Sequence, residues 1–217
     1  MDGNRRWAQK RNLRLWEGHQ QGVQAVRTTT MFCLKEKIQH LSFYTFSIEN
    51  FKRTQVEQRD IFSCIADALK IELPFFLEKG IRVRFIGDRT LFPEFIVPLC
   101  EQIEQETAKG KVLTVYFLLC YGARQELIAA AKKIAEAEVN YSTLTTKKLK
   151  NYLWTGQIPD PDIIIRTGGV KRLSNFLLYQ AAYSELCFLD CLWPDLSEHD
   201  LHNVITEFKK SKRTFGR

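Results

Sequence analysis

No stretch of this 217-residue chain reaches ~18 consecutive apolar residues, so no segment reads as a bilayer-spanning helix. The GxxxxGKS or GxxxxGKT pattern of a phosphate-cradling loop is missing, and so is the GxGxxG of a dinucleotide fold, which removes both common nucleotide-binding readings. No CxxC pair occurs among the six cysteines, Cys33, Cys64, Cys100, Cys120, Cys187 and Cys191, which sit mostly inside apolar stretches, and no secretory leader is read. Buried, reduced thiols and a cytoplasmic setting are therefore expected, with contact at the inner membrane face left open. Cys187 and Cys191 find no partner pair at ligand spacing, and His199 with His202 is a weak i, i+3 match, which argues against zinc.

What the chain does have is 45% hydrophobic content and a formal charge of +7. The first suffices for a single domain over residues 1–217, with no composition shift to mark a second. The second suits nucleic acid, an anionic membrane surface or phosphorylated small molecules, and only the placement of the charges separates these.

Val23, Val26, Thr30 and Leu34 follow helical spacing, and LSFYTF at 41–46 reads as a short buried strand. Ile61, Ile65, Leu69, Leu73 and Phe76 predict a second helix, kinked near its end by Pro74. The pattern then repeats: a strand at 81–87 precedes a helix at 93–109, and a strand at 112–119 precedes an Ala-rich helix at 124–138. DIIIR at 162–166 leads through Gly168 and Gly169 into another predicted helix, and ELCFLD at 185–190 leads to a closing helix at 198–210. Strands alternating with long helices predict an α/β fold whose mainly parallel central sheet is flanked by helices on both faces.

In such sheets ligands sit beyond the carboxyl ends of the strands, where Arg53, Arg89, Arg124, Arg166 and Arg172 all fall. Arginine's planar fork suits phosphate, so a convergent anion site is expected, with the Gly168 and Gly169 amides and a helix N-terminus approaching the same anion. The basic aromatic segments RRWAQKR and KKSKRTFGR lack the regular spacing of a base-stacking platform, so no nucleic-acid partner is expected. The opening MDGNRRWAQKR gathers Asp2, Gly3, Asn4 and the cations Arg5, Arg6 and Lys10 around Trp7, and its Asp-Gly pair belongs to a turn.

The segments MDGNRRWA, GHQQG, YTFSIENFKR, RTGGVKRLSNFLLYQAAYSEL and LDCLWPD together resemble the cis-prenyltransferase family, most closely the bacterial undecaprenyl diphosphate synthases. The similarity runs in order from Met1 to the FG pair near the C-terminus. It implies a homodimeric α/β fold with a hydrophobic tunnel beside the sheet. The implied reaction is repeated condensation of isopentenyl diphosphate onto an allylic diphosphate such as farnesyl diphosphate, each new double bond being cis. A DDxxD motif, expected of the all-α trans enzymes, is absent. By resemblance, Asp2 handles Mg²⁺ and diphosphate, with Glu185 assisting the metal. Gly3, Asn4, Arg5, Arg6 and Trp7 form the loop for the allylic diphosphate, with Gly18 and His19 at a helix N-terminus. Ser47, Ile48, Glu49, Asn50, Phe51 and Arg53 match a flexible segment over the site, in which Asn50 accepts or relays the proton lost from isopentenyl diphosphate. Arg166, Arg172, Leu173 and Ser174 match the isopentenyl diphosphate site. The tunnel is expected from the apolar faces of the first two helices and the strand at 112–119.

The sequence departs from the family at some positions. Leu15 replaces an Arg of the first helix, with Arg14 beside it as a candidate substitute. Arg5 replaces a Gly, and Val170 and Lys171 stand where polar or acidic residues are usual. The apolar strand that precedes MDGN in the family is not in this sequence, so the expectation is either that Met1 is an internal methionine or that the sheet lacks its usual first strand. A long polyprenyl diphosphate, undecaprenyl diphosphate for a cell-wall lipid carrier, is the expected product. A shorter-chain enzyme of the same kind and a non-catalytic subunit are the rival readings.

Overall fold

The computed structural model describes residues 1–211. The fold is an α/β domain in which every strand pairing is parallel. In chain order it comprises α1 (Asn4–Lys10), α2 (Leu15–Lys35), β1 (His40–Ser47), α3 (Gln55–Glu78), β2 (Ile81–Ile86) and α4 (Val97–Glu106). These are followed by β3 (Leu113–Tyr121), α5 (Ala123–Glu136), α6 (Thr146–Tyr152), β4 (Ile163–Arg166), β5 (Glu185–Phe188) and α7 (Glu198–Lys210). Among the described residues no helix is long and apolar enough to cross a membrane.

β3 lies between β1 and β2, with Phe43 opposite Phe117 and Phe85 opposite the same residue from the other side. That central place explains its nearly continuous apolar run, since both of its faces are covered. Alternate side chains divide into two cores. Phe43, Val83, Phe85, Val115 and Phe117 join Phe32, Ile61, Phe62, Leu69 and Phe76 of α2 and α3. Ile86, Tyr116, Leu118 and Tyr121 pack with Ile158, Leu177 and Phe176 on the other face. β4 and β5 form a separate two-stranded sheet, so the single central sheet expected from the sequence is divided in two. No strand precedes α1 among the described residues, and β1 and β4 both line one large cavity.

Local chemistry explains the boundaries. Thr54 caps α3 by accepting from Glu57 N, and Ser197 with Asp200 forms a capping box at the start of α7. α3 continues through Pro74 to Glu78. The helix expected at 93–109 begins only at Val97, after a 3-10 turn at Arg89–Leu91. The helix predicted after Gly168 and Gly169 does not form: Gly168, Gly169, Ser174, Asn175 and Leu177 all have positive φ, and only a 3-10 turn at Gln180–Tyr183 follows. The short helices α1 and α6 were not legible as apolar periodicities.

Candidate active site

Residues far apart in sequence meet at the C-terminal end of β4. The Asp2 amide donates to Thr167 Oγ1 at 3.1 Å, and the Asp2 carbonyl accepts from Thr167 Oγ1 at 2.8 Å and from Trp193 N at 3.0 Å. With its backbone fastened this way, Asp2 places Oδ2 3.0 Å from Arg166 Nη2 and Oδ1 3.3 Å from Arg6 Nη2. Partial burial raises the Asp2 pKa, but the hydrogen bond and charge of Arg166, then Arg6, outweigh it and hold the carboxyl below its ordinary value.

Gly3 caps α1 at φ 119°, where a Cβ would press within 2.9 Å of Leu192 Cδ2. The turn brings Arg5 and Arg6 to the cluster. Arg6 Nη1 donates to the Gly168 carbonyl at 2.8 Å, and the left-handed Gly168 makes room for that guanidinium. The expected approach of the Gly168 and Gly169 amides to an anion is corrected here. Both amides are engaged, donating to the Cys191 and Leu189 carbonyls at 2.7 and 2.9 Å, and no helix N-terminus stands behind them.

Glu57, which sequence reasoning missed, gathers two more cations: its Oε1 lies 3.5 Å from Arg5 Nε and 3.2 Å from Arg53 Nη1. Its signal was the i, i+4 spacing from Arg53 across a helix start. Thr167 also went unrecognised, having no pattern of its own. Arg166 Nη1 donates to Ser174 Oγ at 2.7 Å and to the Arg172 carbonyl, pinning the 172–174 loop to the strand end. Ser47 and Asn50 cap the 3-10 turn Ile48–Lys52, with Asn50 Oδ1 accepting from Ser47 N at 3.1 Å.

His19 sits at the same mouth. Burial first, then the positive charges of Arg53 and Arg5, lower its pKa to about 4, so the ring is neutral at pH 7. Its Nε2, Asn4 Oδ1 and Arg166 Nε are buried without a partner, half of the six such side-chain atoms among the described residues. Buried polar atoms are normally satisfied, so this concentration beside cations marks a place for a polar ligand.

From this mouth extends a cavity of about 1270 Å³. Its walls include Val23, Val26 and Cys33 of α2, Ile61, Ile65 and Leu69 of α3, and Ile163 to Arg166 of β4. β1 supplies another wall, while β3 supplies only Phe117, a correction to the expected tunnel lining. Glu49, Asn50, Arg53, Arg172, Leu173 and Ser174 also face it.

Other predicted residues lie elsewhere. Trp7 Nε1 donates to Asp195 Oδ1 at 2.6 Å, and Arg11 stacks over its ring at 4.2 Å, which ties α1 to the Trp193–Asp195 turn. Arg14 is occupied in capping α2 with Glu17 and lying over Trp16, so it does not replace the Arg lost at Leu15. Gly18 and His19 lie in the second turn of α2 rather than at its N-terminus. Gly18 permits close helix packing, since a Cβ there would fall on the Asn4 carbonyl. Phe51 packs edge-on against Phe46 at 5.0 Å and anchors its segment, and Ile48 does not line the cavity. Arg89 binds Glu104 and the Phe85 carbonyl at the far strand, and Arg124 lies in the first turn of α5 outside the cavity. Glu185 stands at the start of β5 opposite Ile163, away from the strand end that carries Arg166, and accepts from Ser211 Oγ. The basic KKSKRTFGR segment lies partly outside the described residues.

The sequence model of the family described as "Putative undecaprenyl diphosphate synthase" matches residues 1–216. The chain belongs to this cis-prenyltransferase family. An isoprenyl transferase of Wolinella succinogenes is 41% identical over 216 residues, covering 100% of this chain and 93% of that protein. A tritrans,polycis-undecaprenyl-diphosphate synthase (geranylgeranyl-diphosphate specific) of Pyrobaculum aerophilum is 38% identical over 221 residues, with 100% and 93% covered. The crystal structure of lavandulyl diphosphate synthase from Lavandula x intermedia, in complex with dimethylallyl diphosphate, superposes with a TM-score of 0.95 at 27% identity, covering 100% of this chain and 95% of that one. Membership in the cis-prenyltransferase family brings isoprenoid diphosphates as the substrate class, which suits a cationic mouth on an apolar cavity.

Proposed function

We propose that this cis-prenyltransferase condenses isopentenyl diphosphate repeatedly onto farnesyl diphosphate to give a long polyprenyl diphosphate, undecaprenyl diphosphate in particular. The observation that carries the reading is the junction of the Asp2, Arg6 and Arg166 cluster with a cavity of about 1270 Å³. Asn4, Arg5, Arg6, His19 and Arg53 would hold the allylic diphosphate, and Arg166, Arg172 and Ser174 the isopentenyl diphosphate. The allylic carbon–oxygen bond breaks as diphosphate leaves, the isopentenyl double bond forms the new carbon–carbon bond, and the proton lost from the isopentenyl unit passes beside Asn50 to the departing diphosphate. Arginines that neutralise the departing diphosphate lower that barrier, and the Ile48–Lys52 turn keeps water from the cation-like centre. Burial gives about 0.8 kcal/mol per CH₂, so each five-carbon unit gains on the order of 4 kcal/mol at most, which favours retention of the growing chain and slow release.

No group of three or more His, Cys, Asp or Glu that could cage a metal occurs among the described residues. One carboxylate beside a diphosphate cradle nevertheless fits Mg²⁺, which takes few protein ligands and fills its shell with substrate phosphates. Asp2 would hold it, and Glu185, as placed in this chain, does not reach it. The ion supplies charge neutralisation to two polyanions that must approach each other.

The test is incubation with farnesyl diphosphate, labelled isopentenyl diphosphate and Mg²⁺, followed by product extraction and sizing. A long product supports the proposal. A short product, or turnover only with geranylgeranyl diphosphate, replaces its substrate and product assignment, and no product from folded protein overturns it. Light scattering tests the homodimer implied by the resemblance, and vesicle flotation tests peripheral membrane contact.

A further inference from the structure

Asn175 has no assigned part in the reaction, yet it joins three separate pieces of the site. It has φ 64°, a left-handed conformation that asparagine tolerates better than most residues. Its carbonyl accepts from Ala123 N at 2.9 Å and its Oδ1 accepts from Arg124 N at 2.9 Å, so it caps the first amides of α5 from a distant loop. Its Nδ2 donates to Gln125 Oε1 at 3.0 Å and to Glu49 Oε1 at 2.8 Å. Gly122 leaves the space, since a Cβ there would stand 2.7 Å from Asn175 Nδ2.

The two ends of this connection carry the two halves of the mouth. Glu49 belongs to the Ile48–Lys52 turn that also presents Asn50, whereas Asn175 follows Ser174, which Arg166 holds at 2.7 Å. Tyr44, stacked on Phe176 at 4.8 Å, adds a hydrogen bond from its hydroxyl to the Ser174 carbonyl at 3.4 Å. The loop side is therefore fixed to β4, β1 and α5, while the turn that continues from β1 gains a direct link to it through the Glu49 carboxylate.

We infer that Asn175 is a positioning residue, a latch that holds the Ser47 to Arg53 segment against the 172–174 loop through Glu49, so that both substrate loops close together. This inference rests on the proposed condensation only for its catalytic consequence. The latch itself is a property of the free protein.

The test exploits the direction of one hydrogen bond. Asn175→Asp keeps the Oδ1 cap on α5 and the left-handed backbone, but it sets a carboxylate against Glu49. Adding Glu49→Gln restores the bond with donor and acceptor exchanged. Amide hydrogen exchange over residues 47–53 should quicken in Asn175→Asp and return toward the wild-type rate in the double variant. In the condensation assay, kcat/KM for isopentenyl diphosphate should fall on the order of 10-fold in Asn175→Asp, the scale of one partly exposed hydrogen bond to a charged group. Asn175→Asp indistinguishable from wild type in exchange overturns the latch, and so does a quickened exchange that Glu49→Gln fails to slow, which would assign Asn175 to capping α5 alone. Absence of condensation in wild-type protein would overturn the proposed reaction and leave the exchange result to decide the latch.

Discussion

Replacing Asp2 by Asn separates two contributions of the same carboxylate. The Asp2 side chain is 36% exposed and is shared by Arg166, 3.0 Å away and 15% exposed, and Arg6, 3.3 Å away. Solvent screening limits its contribution to stability to about 1 kcal/mol. For a domain of this size that corresponds to a fall in Tm of about 2–4 °C. The folded pKa is depressed, so this stabilisation is present above the ordinary value of 3.8 and is lost as pH falls through the lower folded value. The variant should lack that acid-dependent part. Binding should move the other way. Without the carboxylate, two guanidinium groups lose their internal counterion, so pyrophosphate titrated calorimetrically in EDTA should bind several-fold more tightly, at a gain on the order of 1 kcal/mol. Turnover with Mg²⁺ should meanwhile fall on the order of 100- to 1000-fold, the cost of removing one organised charge-stabilising group. Weaker pyrophosphate binding in EDTA together with retained turnover would refute the placement of Asp2 between the two arginines and its part in the reaction.

His19 protonates near 6.5 when unfolded and near 4 in the folded protein, so the unfolded state takes up the proton first and stability falls as pH drops between those values. Urea melts at pH 7.5 and 5 should show a larger loss for wild type than for His19→Gln, and equal losses would contradict the buried neutral ring. Glu126 is fully buried and accepts from Tyr121 Oη, Thr155 N and Oγ1, and Gln180 Nε2. Glu126→Ala orphans these donors and should lower stability by about 3 kcal/mol or more, read as a Tm fall of roughly 6–12 °C. Gly18→Ala drives a methyl onto the Asn4 carbonyl, and the resulting separation of α1 from α2 should cost about 1–3 kcal/mol in chemical denaturation.

Local chemistry made much of the fold legible. α7 runs from Glu198 to Lys210 as its periodicity predicts, because Ser197 and Asp200 set its start within the chain itself. The strands were readable from apolar runs, and Asp2, Arg166, Arg172 and Ser174 do share one cavity. The illegible parts depend on distant partners. Ser174, Asn175 and Leu177 adopt left-handed backbones where Arg166 grips the Arg172 carbonyl and Ala123 grips the Asn175 carbonyl, and neither contact leaves a local pattern. The resemblance assigns Trp7 to the allylic diphosphate and offers Arg14 as a substitute there, but Asp195 and Glu17 claim them. Strand-end arginines converge only where the strands adjoin the cavity, which is why Arg89, beyond β2 on the other side of β3, stands apart.

The most direct measurement is the length distribution of labelled products from wild type and Ala68→Phe, run side by side with farnesyl and isopentenyl diphosphates and Mg²⁺. Ala68 lines the cavity on α3, 11 residues beyond Glu57 and so about 16 Å along the helix from the charged mouth. A long product in wild type that shortens in the variant, with the first condensations intact, is what chain growth inside this cavity predicts. Products of the same length from both proteins, or none from either, would contradict it.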